Sequence, residues 1–164
     1  MVAPSHGVIW TNHIGEIVEK YLQWSTNYQE HQITIIYDTM WQSTRRMAQA
    51  IADGIRDFDP TVRVVLMNAA KDDKKDILVE VFRSKAIAGL LEMIHGMKCK
   101  NKKAAAFGSS GWGGGGEKRI QQRLEEAGFE IAAEPGKQLW APDMEAERKW
   151  REYGKAFAAA VLGA

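Results

Sequence analysis

The chain has 164 residues, 45% hydrophobic and 26% charged, which suits one globular domain with a short extension. Its 22 basic and 21 acidic residues leave a formal net charge of +1, so no nucleic-acid or anionic membrane partner is expected. A single cysteine excludes an intrachain disulfide, and no segment reaches the roughly 20 apolar residues of a membrane span. The N-terminal residues lack the basic and apolar regions of a signal peptide, so a cytoplasmic protein is expected.

Residues 1–32 are predicted to be a lead-in to the main domain. Turn-forming residues at 3–7 indicate a loop. A short amphipathic helix that needs a partner surface is predicted next, because its apolar residues recur at helical spacing: Ile14, Ile17, Val18, Tyr21 and Leu22. Residues 25–32 are predicted to be a polar connector.

From residue 33 to residue 164, apolar strand patterns alternate with amphipathic helix patterns. The predicted strands are 33–37, 62–67, 103–107 and 129–133, and the predicted helices are 45–55, 72–82, 117–127 and 144–162. Ser43 or Thr44 is expected to cap the first of these helices, and Gly128 to close the third. The alternation predicts a doubly wound parallel sheet in three layers, α/β/α. Such sheets bind ligands at the carboxyl ends of their strands, here the loops after Tyr37 and Phe107.

The loop at 38–44 carries three hydroxyl groups just before a helix. Backbone N–H groups and the positive end of the helix dipole favour an anion there, and the hydroxyls of Thr39, Ser43 and Thr44 add hydrogen bonds. Helix capping would account for one hydroxyl but not for three. The pattern therefore favours a phosphate site, with turn formation and capping as the alternative.

The loop at 108–116 contains six glycines and Trp112. Glycine allows the backbone to approach a planar ligand closely, and an indole can stack on such a ligand. A loop tip with a surface tryptophan is the alternative explanation.

These loops lie in blocks that resemble a known family. Residues 33–40 (ITIIYDTM) with Ser43 and Thr44, and residues 105–109 (AAFGS) with 111–114 (GWGG), closely resemble the flavodoxin-like domain of flavodiiron proteins, the A-type flavoproteins. The segments 83–85 and 101–103 fit the same family. Residues 5–10 (SHGVIW) resemble the end of its preceding metallo-β-lactamase-like domain, so 1–32 would be a remnant of that domain and a linker, and 33–164 the FMN-binding domain.

The resemblance implies an FMN-binding electron-transfer domain of a flavodiiron oxidoreductase. The first loop would hold the phosphate and ribityl chain, and the second would lie along the isoalloxazine ring. The implied cofactor residues are Thr39, Met40, Trp41, Ser43, Thr44, Ser109, Ser110, Gly111, Trp112 and Gly113. Electrons would come from a rubredoxin or flavin reductase type of donor and pass to a diiron site that reduces NO or O2.

The same resemblance bears on metal binding and assembly. His6 would correspond to a diiron ligand of the parent family, but one histidine cannot assemble a dinuclear site, and this chain lacks the diiron catalytic domain. A homo-oligomer is expected.

One part of the family pattern is not evident in the sequence. The family has a central third strand and a flavin-contacting loop between two helices, whereas residues 85–88 lead directly from one helical pattern to the next. About 10–15 residues are therefore expected to be missing. The two apolar stripes also lie about half a turn apart: Ile77, Leu78, Val81 and Phe82 on one, and Ile87, Leu90, Leu91, Ile94 and Met97 on the other.

Three arrangements fit a missing strand. The chain could bend near 84–89 and close a four-stranded sheet, or keep a helical rod over 73–97 that buries its second stripe on another copy. The third alternative, which we favour because loss of a central strand is costly, is that the printed sequence omits residues. A flavin-free scaffold or interaction module, which could form a helix- or strand-exchanged dimer, is the functional alternative to FMN binding.

Overall fold

A computed structural model describes residues 1–5, 7–26, 28–89, 99 and 101–163, with the backbone alone for Trp24 and for 85–89. From residue 30 onward, strands are interspersed with helices. In chain order the elements are α1 (Ile14–Ser25), β1 (Glu30–Tyr37), α2 (Ser43–Phe58), β2 (Arg63–Asn68), α3 (Lys74–Arg83), β3 (Ser84–Gly89), β4 (Lys103–Ala105), β5 (Phe107–Ser110), α4 (Gly116–Glu126), β6 (Glu130–Ile131), β7 (Gly136–Leu139) and α5 (Met144–Leu162).

Five of the strands form one parallel sheet in the order β2-β1-β3-β4-β6. The chain runs outward from β1 to β2, returns to β3 beside β1 and continues to the other edge, as in a doubly wound sheet. The predicted α/β class is therefore confirmed. The carboxyl ends of β1 and β4 lie on the same edge of the sheet, on either side of β3.

The helices cover both faces of this sheet. On one face, Ile51 of α2 and Phe157 of α5 are fully buried with Ile33 and Ile35 of β1. On the other face, Ile77 of α3 and Leu124 of α4 pack with residues that include Ile36, Met67, Ala104 and Ala106. The predicted three-layer arrangement is therefore confirmed.

The prediction that the central third strand is missing is wrong. Strand β3 lies between β1 and β4, with Ala86 opposite Ile33 on one side and opposite Lys103 on the other. Helix α3 ends at Arg83, because Ser84 has extended backbone angles. The alanines and glycine of β3 give little local preference for a strand, so pairing on both sides decides its conformation. The second helical stripe, at Leu90, Leu91, Ile94 and Met97, lies outside the described residues.

Three further differences concern the ends of elements. Gln42 occupies the N-cap position of α2, where Ser43 or Thr44 was predicted; it has a left-handed backbone with φ 66° and makes no side-chain cap hydrogen bond. Strand β1 begins at Glu30, inside the predicted connector. Two segments predicted as loops form strands β5 and β7, which pair in parallel as a separate two-stranded sheet.

The N-terminal helix α1 is a helix as predicted, but its apolar face is only partly covered. Val18 is 46% exposed and Leu22 is 63% exposed. No helix in the described part of the chain is long and apolar enough to cross a membrane.

Candidate functional site

A pocket of about 240 Å³ lies at the edge of the sheet where β1 and β4 end. Residues from β1, α2, β5 and α4 line it, so it lies at the position expected for ligands of doubly wound sheets. The lining residues are Tyr37, Asp38, Thr44, Phe107, Gly108, Ser109, Ser110, Gly114, Gly116, Glu117 and Ile120.

A hydrogen bond joins the two loops that the sequence singled out. The hydroxyl oxygens of Thr44 and Ser109 are 3.2 Å apart, although 65 residues separate them in the chain. The start of α2 and the strand after Ala106 are thus held together at the pocket wall. Thr44, Ser109 and Ser110 all present hydroxyl groups there.

Helices α2 and α4, which begin at this pocket, differ from α3 and α5 in how their N-termini are capped. Neither α2 nor α4 has a side-chain cap from its N-cap residue, and both N-cap residues, Gln42 and Gly115, have left-handed backbones. By contrast, Asp73 caps α3 and Asp143 caps α5 through their side chains. The first-turn N–H groups of α2 therefore remain available to an anionic ligand.

Two carboxylates limit where an anion could bind. Asp38 is an exposed lining residue whose Oδ1 accepts a hydrogen bond of 2.7 Å from the backbone N–H of Thr39. Glu117 is buried, and its Oε2 accepts a hydrogen bond of 3.2 Å from the backbone N–H of Gly115. Glu117 thus places negative charge at the start of α4, so the start of α2 is the better phosphate site of the two.

The glycine-rich loop is held by several contacts. The hydroxyl of Ser110 donates to the carbonyl oxygen of Gly113 over 3.0 Å. The backbone N–H of Trp140 donates to the carbonyl oxygen of Ser110 over 3.0 Å. A Cβ on Gly111 would lie 2.9 Å from the Trp140 ring, so a side chain at position 111 would displace that indole.

Two exposed tryptophans meet beside this loop. The ring centroids of Trp112 and Trp140 are 5.0 Å apart with an angle of 80° between the planes. Trp112 is 92% exposed and Trp140 is 55% exposed. Met40 and Trp41 in the first loop are also largely exposed. The pocket is thus flanked by large apolar side chains that the protein itself leaves in water.

The structure brings together only part of the predicted cofactor set. Thr44, Ser109 and Ser110 line the pocket. The others flank it in the same two loops without lining it: Thr39, Met40, Trp41, Ser43, Gly111, Trp112 and Gly113. The sequence reasoning missed Glu117 and Trp140. Glu117 follows the glycines directly, and Trp140 follows a strand that was predicted as a loop.

A larger cavity of about 350 Å³ lies away from these loops. Its lining comes from α1, β1, α3 and the segment before β1 and includes Tyr28, Val79 and Phe82. It contains neither a strand's carboxyl end nor the start of a helix, so the smaller pocket remains the candidate site despite its size.

No group of three His, Cys, Asp or Glu side chains among the described residues could hold a metal ion. His6, the one predicted metal ligand, lies outside those residues. His13 lies 3.1 Å from Glu16, and Nε2 of His31 lies 2.8 Å from Asp59.

Comparison with known proteins places this fold among flavodoxins. The family model described as Flavodoxin matches residues 35–152. A relative in Vibrio vulnificus, named anaerobic nitric oxide reductase flavorubredoxin, is 49% identical over 96% of this chain and 35% of its own length. The chain thus spans about a third of the length of the curated relatives that it matches.

Solved structures agree with the sequence matches. Rubredoxin oxygen:oxidoreductase from Desulfovibrio gigas aligns with a TM-score of 0.79 and 26% identity, over 91% of this chain and 40% of that one. The flavodiiron protein from Giardia intestinalis aligns with a TM-score of 0.82 over 96% of this chain and 43% of that one. At 21% identity, this match supports similarity of fold only.

The sequence match also reveals a difference in length. The alignment to the Vibrio vulnificus relative extends over 173 residues, whereas 96% of this 164-residue chain is about 157 residues. About 16 positions of that alignment are therefore not filled by a residue of this chain.

Proposed function

The chain belongs to the flavodoxin family and matches flavodiiron proteins over most of its length, and from this premise we propose that it is an FMN-binding electron-transfer domain. The observation that carries the proposal is the 3.2 Å contact between Thr44 and Ser109, which joins the two loops at one pocket. The open N-terminus of α2 and the neighbouring hydroxyls suit a phosphate group. The pocket thus offers the donors that the phosphate end of FMN requires.

The proposed assignment divides the site between its two loops. Ser43 and Thr44, with the free N–H groups of α2, would bind the phosphate, and the neighbouring residues Thr39, Met40 and Trp41 would enclose the ribityl chain. The second loop would lie along the ring through Ser109, Ser110, Gly111, Trp112 and Gly113. FMN, when bound, supplies the capacity to take up and release electrons, while these residues bind and orient it and exclude water.

We propose that the electrons come from a rubredoxin or flavin reductase type of donor and pass to a diiron site. That site lies outside this chain's described residues, and residues 1–32 would be the end of the metallo-β-lactamase-like domain and the linker after it. The relative from Vibrio vulnificus, at 49% identity, is named for NO as its substrate, whereas the protein from Desulfovibrio gigas, at 26% identity, is named for oxygen. The names therefore favour NO as the final acceptor. We propose that this electron transfer takes place in the cytoplasm and that the protein is a homo-oligomer.

Titration with FMN tests the proposal directly. The purified chain is expected to bind FMN at micromolar concentration, with quenching of flavin fluorescence and a shift in the visible spectrum. Riboflavin, which lacks the phosphate, should bind more weakly. If the chain does not bind FMN at micromolar concentration, the proposal is wrong.

Variants localise the phosphate end. Thr44→Val keeps the shape of the side chain and removes the hydroxyl that contacts Ser109. It should therefore weaken the binding of FMN more than the binding of riboflavin. Thr26→Val makes the same change in a residue near the end of α1, whose hydroxyl donates to the carbonyl oxygen of Gln23. This control should bind FMN as the unaltered chain does.

The unfilled alignment positions favour a second candidate function. About 16 positions of the alignment to the relative lack a residue of this chain, and loss of a ring-contacting loop would leave one side of the flavin uncovered. A flavin-free scaffold or interaction module would then result. The sheet closes within one chain, so strand exchange is not required to complete it. Failure to bind FMN together with a dimer in light scattering would favour this alternative.

A further inference from the structure

We infer that Trp140 is a positioning residue that holds the indole of Trp112 beside the pocket, an inference that rests on the proposed flavin site. Trp112 lies between Ser110 and Gly114 in the chain, and both of these residues line the pocket. Trp140 was not among the residues that the sequence predicted for the site. It reaches the loop through the pairing of β7 with β5.

The first observation is the geometry of the two rings. Their centroids are 5.0 Å apart and their planes are nearly perpendicular, which is a favourable edge-to-face arrangement. Trp112 is flanked by Gly111 and Gly113. Glycine gives the backbone many accessible conformations, so the contact with Trp140 is needed to select one position for the indole.

The second observation is how firmly Trp140 itself is fixed. Its backbone N–H donates to the carbonyl oxygen of Ser110, and Leu139 before it pairs with Ser110 in the β5–β7 ladder. Its φ is 59°, a left-handed value that is uncommon for a residue with a bulky side chain. The missing side chain of Gly111 makes room for the ring. The site thus keeps Trp140 in an unusual backbone conformation against the loop that carries Trp112.

The third observation is exposure. Trp112 is 92% exposed in spite of its contact with Trp140, so almost the whole indole surface remains open to a further partner. An exposed cluster of large apolar side chains beside a pocket is typical of a binding surface. A planar ring bound in the pocket is the partner that matches an indole held in this way.

The contact is tested first without any ligand. Near-ultraviolet circular dichroism should show a coupled indole signal in the unaltered chain that disappears in both Trp140→Ala and Trp112→Ala. Trp10→Phe removes a tryptophan from the N-terminal segment and should retain the signal. Persistence of the coupled signal in Trp140→Ala would overturn the inference.

Binding of FMN gives the second test. Trp140→Ala should raise the dissociation constant by about 3- to 10-fold, the range that loss of one edge-to-face contact would produce. Trp140→Phe should restore most of the affinity. Combining Trp140→Ala with Trp112→Ala should cost little more than Trp112→Ala alone, because both changes remove the same contribution.

The outcomes separate the inference from the proposed function. If the unaltered chain binds FMN and Trp140→Ala binds it equally well, the inference is wrong and the proposed function stands. If the unaltered chain binds no FMN, the proposed function is wrong and so is the role of Trp112 as a flavin contact. In that case the circular dichroism measurement still decides whether Trp140 fixes Trp112.

Discussion

Gly54 and Gly154 each lie against the backbone of the other's helix where α2 packs on α5. A Cβ on Gly54 would overlap the carbonyl oxygen of Arg151, and one on Gly154 would overlap the carbonyl oxygen of Ile51. The two helices therefore approach more closely than any side chain would allow. Since Thr44 in the first turn of α2 lines the pocket, this approach also helps to fix the position of one wall of the candidate site.

Gly154→Ala is expected to destabilise the protein. Overpacking a close contact costs about 1–3 kcal/mol, more than the roughly 1 kcal/mol that alanine gains over glycine in a helix. Urea unfolding followed by circular dichroism measures the change. Gly15→Ala in α1 is the matched control, because a Cβ on this helical glycine meets nothing within 4 Å. Equal stability of the two variants would contradict the close packing.

The elements that the sequence predicted well are those with strong local patterns. Helix α5 has the predicted bounds, and Gly128 has the positive φ of 88° that its position after α4 required. Strand β3 was missed because alanine and glycine favour no strand by themselves. Its conformation depends on hydrogen bonds to β1 and β4, which are distant in the sequence.

The site divides in the same way. Thr44, Ser109 and Ser110 were predictable, because hydroxyls and glycines after apolar strands mark loops at the carboxyl edge of the sheet. Trp140 was not predictable, since only the pairing of β7 with β5 brings it to the glycine-rich loop. Local composition indicates which loops lie at the pocket, but it does not reveal which distant strand supports them.

Lys102→Met is expected to lower the free energy of unfolding by about 1–3 kcal/mol, the cost of leaving buried carbonyl groups without a donor. The ammonium group of Lys102 donates to the carbonyl oxygens of Phe82 and Ser84, at 2.8 and 2.7 Å, where α3 gives way to β3. Burial lowers the pKa of Lys102 and raises that of Cys99 nearby. Methionine preserves the apolar chain and removes the donor.

Lys118→Met on the exposed surface of α4 is the control for Lys102→Met. It removes the same charge without uncovering a buried carbonyl group, so chemical denaturation should show a change within about 0.5 kcal/mol. If both variants lose the same stability, Lys102 does not support the junction of α3 and β3.

Acid should weaken the turn between α2 and β2. Hydrogen bonds from the hydroxyl and backbone N–H of Thr61, and then the contact with His31, lower the pKa of Asp59 from 3.8 to about 2. Because the folded-state pKa is the lower one, this stabilisation is complete above about pH 4 and is lost as the pH falls towards 2.

Melting temperatures between pH 5 and pH 2 test the role of Asp59. Asp59→Asn should melt lower than the unaltered chain at pH 5, and the difference should shrink towards pH 2 as Asp59 becomes protonated. Thr61→Val, which removes the hydroxyl donor, should fall between the two at pH 5. Melting curves that stay equally far apart at every pH would show that the turn does not depend on this carboxylate.

Tyr153 should ionise only in strong alkali. Burial, followed by the charge of Glu134, raises the pKa of its phenol from 10.0 to about 12, and its hydroxyl donates to the carbonyl oxygen of Glu134 over 2.8 Å. Since the folded-state pKa is the higher one, this stabilisation is present below pH 10 and is lost as the pH rises through 12. Absorbance of tyrosinate should show a late ionisation that is absent in Tyr153→Phe. If the late step is unchanged in that variant, another tyrosine produces it. That result would contradict the burial of Tyr153 against the segment that contains Glu134.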